Sequence, residues 1–369
     1  HHPPDTPRPP RPALADAPWG NLCRCTGFRP ILDAGERMFD AAPVRLDAAP
    51  VVAALRGLQG DPLHYAAPNP HAGGRVDRFH APVTVDALAD LLLREPPARL
   101  LAGCTDIGLW VNKQFRDVGD LVHLGRVEAL QQVDDTPDGL AIGAAVSLER
   151  GWAAIAARHP ALGEVWRRFA SPPIRHAGTL VGNLANGSPI GDAAPVLMAL
   201  DAELELRRGD RVRRVPLDGF YPGYMKNALE PGEFIQRVVV PPTAADVRAY
   251  KISKRFDSDI SALCVGLALR LDGERIAHVR VAFGGMAAVV KRAATVEAAL
   301  RGAPWTEATL QAARQALAAD FDPLTDLRAS RDYRLRVAQN LLTRFWLETR
   351  PQQPLPPSTT QVVALPAKA

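Results

Sequence analysis

The stretch FASPPIRHAGTLVGNLANGSPIGD, residues 169–192, combines small residues, amides and hydroxyls, and the apolar residues 194–200 follow it. This pattern is too irregular for a helix or a strand and is typical of a buried loop that wraps a polar ligand. Four glycines let backbone N–H groups approach an anion, and three side chains add donors. These residues are Gly178, Gly182, Gly187, Gly191, Thr179, Asn183 and Ser188. A surface loop made of turn residues is the alternative interpretation.

Another glycine segment, GCTDIG at residues 103–108, follows the strand-like residues 99–102 and precedes the apolar residues 109–111. By chain order we call residues 103–108 the first glycine segment and residues 169–192 the second. A strand therefore delivers its C-terminal end into a turn of the size that holds a phosphate. The segment lacks both the Lys-Ser/Thr of a Walker loop and the spacing of a Rossmann fingerprint, so we assign neither motif.

The composition is that of a soluble globular protein, with 369 residues of which 47% are hydrophobic and 23% charged. At about 150 residues per domain, this length predicts two to three domains. No apolar run approaches the roughly 20 residues of a membrane helix, and no signal peptide is recognisable. We therefore expect a cytoplasmic protein without a membrane partner.

The net charge of +4 arises from 44 basic and 40 acidic residues. A nucleic-acid partner would require basic residues clustered with aromatic ones, so we expect none. The densest basic run, RRGDRVRR at residues 207–214, lies between two strand-like segments and has a Gly-Asp centre. It predicts the tip of a hairpin, since exposed edge strands commonly carry charges.

The N-terminal residues 1–39 predict a disordered arm followed by a cysteine motif. Six prolines stand within the first twelve positions, and Cys23 and Cys25 lie in GNLCRCTGFRPILDA. A Cys-x-Cys pair flanked by glycines can place two thiolates on one metal or cluster. A short helix is expected over residues 31–38, and the proline-rich residues 40–80 look like a linker.

From residue 83 onward the pattern predicts helices alternating with strands, as in helices packed on mixed sheets. Helices are expected over residues 84–92, 109–115 and 147–158, and strands over residues 99–102, 121–123 and 140–142. After Asp192 and a helix-like segment, paired strands are expected over residues 202–206, 212–217, 234–240, 249–253, 262–271 and 276–283. Two helices, residues 306–318 and 330–347, follow. The predicted fold class is α+β.

Four motifs together resemble the flavin-binding part of the xanthine dehydrogenase family, in particular the small FAD-carrying subunit of bacterial two-subunit enzymes. They are AGCTDIG at 102–108, FAS at 169–171, TLVGNLANGSPIGD at 179–192 and YKISKRFDSDI at 250–260. The resemblance covers residues 98–347. It implies an FAD-binding domain of two α/β subdomains at residues 81–242, similar to vanillyl-alcohol oxidase. A small C-terminal α+β domain of antiparallel strands and helices at 243–350 and a tail at 351–369 complete the expected organisation.

The resemblance also implies which residues hold the cofactor. Residues 102–108 and 179–184 would hold the pyrophosphate, and Phe169 would lie against the flavin ring. The implied cofactor shell comprises Leu101, Ala102, Gly103, Cys104, Thr105, Asp106, Ile107, Gly108, Phe169, Thr179, Leu180, Val181, Gly182, Asn183, Leu184, Ser188, Asp192, Ile235 and Lys251. From the residues alone, Asp192 could equally cap the helix-like residues 193–200. A nicotinamide-access region is implied at Tyr224, Arg255, Asp257 and Asp259.

GNLCRCTG resembles the last cluster-ligand motif of the family's iron–sulfur domain. A [2Fe–2S] cluster needs four ligands, and Cys23 and Cys25 supply half of them. No cysteine precedes Cys23, and Cys104 and Cys264 belong to the flavin region. We therefore expect this chain alone to bind no cluster unless the missing ligands are supplied.

The implied function is to pass electrons from iron–sulfur clusters through a non-covalent FAD to NAD. The implied partner is a molybdenum-cofactor subunit, in a dimer of heterodimers. Three alternatives remain open. The chain could serve carbon monoxide, nicotinate or aromatic-CoA oxidation, it could be a non-catalytic FAD-binding relay or assembly module, or it could be an interaction protein with structural glycine loops.

Overall fold

The fold is taken from a computed structural model that describes residues 7–18, 26–44, 46–58, 60–256, 258–356 and 359–360. The helices are α1 Arg11–Asp16, α2 Phe28–Arg37, α3 Ala49–Gly57, α4 Val85–Arg94, α5 Ile107–Gln114, α6 Leu148–Arg158, α7 Gly163–Arg168, α8 Pro172–Ala177, α9 Leu180–Ala185, α10 Ala193–Ala199, α11 Ala294–Leu300, α12 Glu307–Asp320 and α13 Arg331–Thr349. The strands are β1 Leu63–Pro68, β2 Val76–Ala81, β3 Arg99–Leu101, β4 Leu121–His123, β5 Val133–Thr136, β6 Gly139–Gly143, β7 Glu203–Arg208, β8 Arg211–Pro216, β9 Phe234–Val240, β10 Asp246–Ile252, β11 Leu263–Asp272, β12 Arg275–Gly284 and β13 Lys291–Arg292.

The first sheet has the strand order β1-β2-β4-β3. Strand β4 pairs in parallel with both β2 and β3, and Leu101 at the end of β3 lies opposite His123 at the end of β4. Helix α4 follows β2 and begins as predicted, because the Thr84 hydroxyl accepts a hydrogen bond from the Ala87 amide at 3.1 Å. The first glycine segment therefore leaves the sheet at the carboxyl end of its parallel strands.

The second sheet is antiparallel and has the order β5-β6-β9-β7-β8. The predicted hairpin tip at residues 207–214 is confirmed: Arg208 pairs with Arg211, and Gly209 turns the chain with a φ of +54°. Arg213 makes two hydrogen bonds of 2.7 Å to the buried carboxylate of Glu233. The basic run is consequently occupied by contacts within the protein.

The third sheet, β10-β11-β12-β13, packs against α11, α12 and α13 around a core that includes Phe283 and Phe345. Helix α10 lies between this sheet and α9 and is buried along its whole length. Its approach requires Gly266, where a Cβ would lie 2.7 Å from the Val196 Cα. The α+β class and the two-part division of the core agree with the prediction.

Residues 169–192, which we expected to be irregular, contain the short helices α8 and α9. Each begins at a residue suited to a helix start. Pro172 and Pro173 occupy the first turn of α8, and the Thr179 hydroxyl accepts a hydrogen bond from the Gly182 amide at 3.1 Å. Of the glycines that suggested a loop, Gly178 lies between the two helices, Gly182 lies in α9, and Gly187 and Gly191 follow α9.

Residues 40–80 differ from the linker we expected, because they contain α3, β1 and most of β2. Strands β1 and β2 pair antiparallel and belong to the first sheet. The prolines that suggested a linker stand next to β1, at its last position, and in the turn after it, namely Pro62, Pro68 and Pro70. An edge strand tolerates proline because one side of its backbone needs no ladder hydrogen bond.

The described part of the expected arm, residues 7–18, contains helix α1. Its Arg11 side chain forms ion pairs of 2.7 Å with Asp33 and 2.9 Å with Glu36 on α2. The expectation of an arm without structure is therefore wrong for these residues. No helix among the described residues is both long and apolar enough to cross a membrane.

Candidate functional site

A cavity of about 900 Å³ lies where both glycine segments meet. This volume is near the upper end of the range of about 300–1,000 Å³ that is usual for small-molecule sites. The first segment contributes Ala102 to Ile107, and the second contributes residues from α8 and α9. The lining residues used below are Arg99, Ala102, Gly103, Cys104, Thr105, Asp106, Ile107, Trp110, Arg116, Phe169, Ala170, Thr179, Val181, Gly182, Asn183, Asn186, Met225, Ile235 and Ile260.

The two glycine segments contact each other through backbone atoms. A Cβ on Gly103 would overlap the Ala177 carbonyl oxygen and lie 2.6 Å from the Gly178 Cα. A Cβ on Gly178 would in turn lie 2.9 Å from the Thr105 hydroxyl oxygen. Close packing therefore favours glycine at both positions. At Gly178 the backbone conformation is not the reason, because its φ is an ordinary −65°.

The first segment turns sharply between β3 and α5. Cys104 adopts a φ of +60°, a left-handed conformation that is costly for a residue with a Cβ. Ala170 and Met225, with φ of +49° and +52°, also line the cavity. Three left-handed residues other than glycine around one cavity are typical of a functional site, where the surrounding structure holds strained backbone in place.

The second segment is fixed to the loop before α6. The Leu180 amide donates to the Val146 carbonyl at 3.1 Å, and the Leu148 amide donates to the Gly178 carbonyl at 2.8 Å. Asn183, one turn into α9, has a buried side-chain oxygen with no hydrogen-bond donor among the described residues. Because buried acceptors are normally satisfied, this oxygen fits a ligand that presents a hydroxyl or N–H group to the cavity.

Phe169 forms an apolar part of the wall and is 7% exposed. Its ring centroid is 5.7 Å from that of Trp152, and the two rings are inclined at 46°. Arg175 donates a hydrogen bond of 3.0 Å to the Phe169 carbonyl and pairs with Glu149 at 2.6 Å. Arg175 therefore links the backbone at Phe169 to Glu149 on α6.

Asp106 stands on the cavity wall just before α5. Burial raises the pKa of its carboxyl group, and a hydrogen bond from the Asn186 side chain opposes that rise. Taken together, the site offers a backbone turn, hydroxyl and amide groups, an unsatisfied buried acceptor and an aromatic wall. These features fit FAD, which requires donors for its phosphates and a flat apolar contact for its ring.

Most of the predicted cofactor shell lines the cavity, namely Ala102 to Ile107, Phe169, Thr179, Val181, Gly182, Asn183 and Ile235. Leu101, Gly108, Leu180, Leu184 and Ser188 lie in the same segments but outside the lining. The roles of all these residues in cofactor binding remain predictions.

Asp192 and Lys251 also lie outside the cavity lining. The Lys251 Nζ is 2.6 Å from the Asp192 carboxylate, and their side chains are 2% and 7% exposed. Ser261 hydrogen-bonds both partners, at 2.8 and 2.6 Å. Asp192 makes no side-chain cap of α10. In the structure the pair joins the α10 region to the third sheet.

Two of the predicted nicotinamide-access residues, Tyr224 and Asp259, are chain neighbours of residues that line the cavity. Tyr224 is 66% exposed and precedes the lining residue Met225, and Asp259 precedes the lining residue Ile260. The Arg255 amide donates to the Asp259 carboxylate at 2.9 Å. Asp257 lies outside the described residues.

Cys23 and Cys25 also lie outside the described residues. Within the described ranges, no group of three or more His, Cys, Asp or Glu side chains is arranged to hold a metal ion. Cys104 is exposed on the cavity wall and Cys264 is buried.

Sequence reasoning missed the lining residues Arg99, Trp110, Arg116 and Asn186. Arg99 begins β3 and the next two lie on or just after α5, so they flank the first glycine segment. Their closeness in sequence to that segment could have identified them as candidate lining residues. Asn186 directly follows α9, within the quoted stretch, but as one of several amides it carried no distinguishing mark.

Comparison with protein families gives two adjacent matches. Residues 74–243 match the family described as the FAD binding domain in molybdopterin dehydrogenase. Residues 248–349 match the CO dehydrogenase flavoprotein C-terminal domain.

Individual relatives agree with these matches. The xanthine dehydrogenase FAD-binding subunit of Escherichia coli O157:H7 is 31% identical, over 71% of this chain and 92% of the relative. The xanthine dehydrogenase of Emericella nidulans is 31% identical over 86% of this chain, which spans only 27% of that protein. The structure of carbon monoxide dehydrogenase from Hydrogenophaga pseudoflava superimposes with a TM-score of 0.68 at 29% identity, over 72% of this chain and 94% of the matched chain.

Proposed function

This chain belongs to the family of FAD-binding subunits of molybdenum hydroxylases, and from this premise we propose that it passes electrons from a partner's iron–sulfur clusters to NAD. The observation that carries the proposal is the contact of Gly103 with Ala177 and Gly178, which closes both glycine segments around one cavity beside Phe169. FAD, when bound, would supply the redox chemistry by accepting electrons and releasing hydride.

The residues of this chain would bind and orient that group. The turn at Gly103 to Ile107 and the start of α9 at Thr179 would hold the phosphates, and Phe169 would lie against the ring. The Asn183 side-chain oxygen would accept a hydrogen bond from the ligand. The exposed Tyr224 and the Arg255–Asp259 loop at the rim would border the entry of nicotinamide.

We further propose that the partner subunit belongs to a xanthine dehydrogenase-like enzyme. A molybdenum-cofactor subunit would oxidise the substrate, and two such pairs would form the assembly. The xanthine dehydrogenase FAD-binding subunit of E. coli O157:H7 supports this choice through its identity of 31% with this chain.

A second candidate is a flavin subunit for another substrate. The carbon monoxide dehydrogenase medium chain of Hydrogenophaga pseudoflava is 29% identical, close to the 31% of the xanthine-type subunit. The match of residues 248–349 to a CO dehydrogenase domain favours the same alternative. Substrate class therefore depends on the partner that the chain assembles with.

The visible spectrum of the purified chain, after incubation with FAD and removal of excess ligand, tests the core of the proposal. Oxidised-flavin bands that acid precipitation releases into the supernatant are expected. Anaerobic stopped-flow mixing with NADH should then bleach these bands. A chain that takes up no FAD would overturn the proposal, and a flavin that stays oxidised with NADH would overturn the nicotinamide part alone.

A further inference from the structure

Two arginine guanidinium groups lie over the indole ring of Trp110 at the cavity wall. The Arg99 guanidinium carbon is 5.0 Å from the centroid of the Trp110 ring, and that of Arg116 is 4.7 Å from it. All three residues line the cavity. Tryptophan is the aromatic side chain that attracts a cation best, so the indole holds both guanidinium groups at this wall.

Neither guanidinium forms an ion pair or a side-chain hydrogen bond within the described ranges. The neighbouring Arg75 differs, since it pairs with Asp77 at 2.6 Å and with Asp117 at 2.8 Å. The Arg99 Nε is buried and has no acceptor among the described residues. A buried donor without an acceptor costs roughly 1–3 kcal/mol, so an acceptor is expected to come from a ligand.

We propose that Arg99, Trp110 and Arg116 form the subsite for the adenosine-diphosphate part of FAD and thereby select FAD over riboflavin. Guanidinium groups bind phosphate oxygens through charge-assisted hydrogen bonds, and the Trp110 indole keeps both guanidinium groups at the cavity wall. The inference rests on the proposed function, since it assigns a role within the same cavity.

The test compares Arg99→Gln and Arg116→Gln with the wild-type chain of 369 residues. Dissociation constants for FAD and riboflavin are measured by flavin fluorescence, and the inhibition constant of ADP is measured by competition with FAD. Each variant should bind FAD and ADP about tenfold more weakly, as expected for loss of one charge-assisted contact. Riboflavin, which lacks phosphates, should bind with unchanged affinity.

Arg270→Gln provides the matched control. Arg270 is exposed on β11 and does not line the cavity. Its replacement by glutamine removes one positive charge, as the two test substitutions do. It should leave the affinities for FAD, ADP and riboflavin unchanged. Arg116→Lys keeps the charge but loses the planar fork, so its FAD affinity should fall between those of wild type and Arg116→Gln.

Unchanged FAD affinity in both glutamine variants would overturn the inference while leaving the proposed function intact. Equal weakening of FAD and riboflavin would also overturn it, because it would show a structural role for the arginines. A wild-type chain that binds neither flavin would overturn the proposed function and this inference with it.

Discussion

Gly103 packs so closely against Ala177 that any side chain at residue 103 would overlap the Ala177 carbonyl oxygen. This contact joins two segments that are more than 70 residues apart, and it closes the cavity wall. Because the obstructing atoms are backbone, they cannot move aside as a flexible side chain could.

Gly103→Ala is therefore expected to separate the glycine segments and to weaken FAD binding by at least about tenfold, which corresponds to roughly 1.4 kcal/mol. Equilibrium titration with FAD checks this. Gly163→Ala is the control, since residue 163 lies at the start of α7 with no atom within 4 Å of an added Cβ. Equal FAD affinity in both variants would contradict the assigned contact.

Lys251→Met should destabilise the chain by about 3–5 kcal/mol, because it leaves the buried Asp192 carboxylate without its cation. The free energy of unfolding, from urea titration, measures the loss. The double variant Asp192→Leu/Lys251→Met removes both charges and should be less destabilised than the single variant. A single variant as stable as wild type would mean that the ion pair contributes nothing to joining α10 and the third sheet.

Cys104 should react with a maleimide in the folded protein, and FAD should protect it. The side chain is exposed and lines the cavity, whereas Cys264 is buried and its burial raises the pKa of the thiol. In a Cys23→Ser/Cys25→Ser background, one equivalent is expected to react before unfolding. FAD at about 100 times its dissociation constant should slow labelling about 100-fold. An unchanged rate with FAD bound would place the ligand away from Cys104.

Alkaline pH should destabilise the fold through Tyr221. Burial raises the pKa of its hydroxyl above the usual value near 10, and the hydroxyl donates to the Leu184 carbonyl at 3.0 Å. Above pH 10 the unfolded chain releases this proton and the folded chain keeps it, so stability falls as pH rises. One such group contributes up to about 1.4 kcal/mol per pH unit.

Tyr221→Phe should lower stability by about 1 kcal/mol at pH 8 through loss of the hydrogen bond. Between pH 10 and pH 11 its unfolding free energy should fall less steeply than that of the wild type. Urea titrations at both ends of this range give the slopes. Identical slopes would show that Tyr221 ionises equally in the folded and unfolded chains.

The sequence by itself determined many of the helices and strands after residue 83, because hydrophobic periodicity and capping residues act locally. Strand β9 at Phe234–Val240 and the Thr84 and Ser147 helix starts were predicted from such patterns and are observed. Phe169, Gly103 and Thr179 were also predicted to share one cofactor site, because their motifs resemble those of one family. Their convergence on one cavity is consistent with that prediction.

Only the tertiary structure decided what depends on contacts between distant residues. Proline-rich residues 62–70 became part of the first sheet because strand β2 was available for pairing, and no local signal encodes a partner. Asp192 and Lys251, which we predicted to belong to the cofactor shell, form a buried pair with each other although they are 59 residues apart in sequence. The contacts of Arg99 and Arg116 with the Trp110 ring likewise depend on how α5 lies beside β3. Such distances are set by packing, and the local sequence does not specify them.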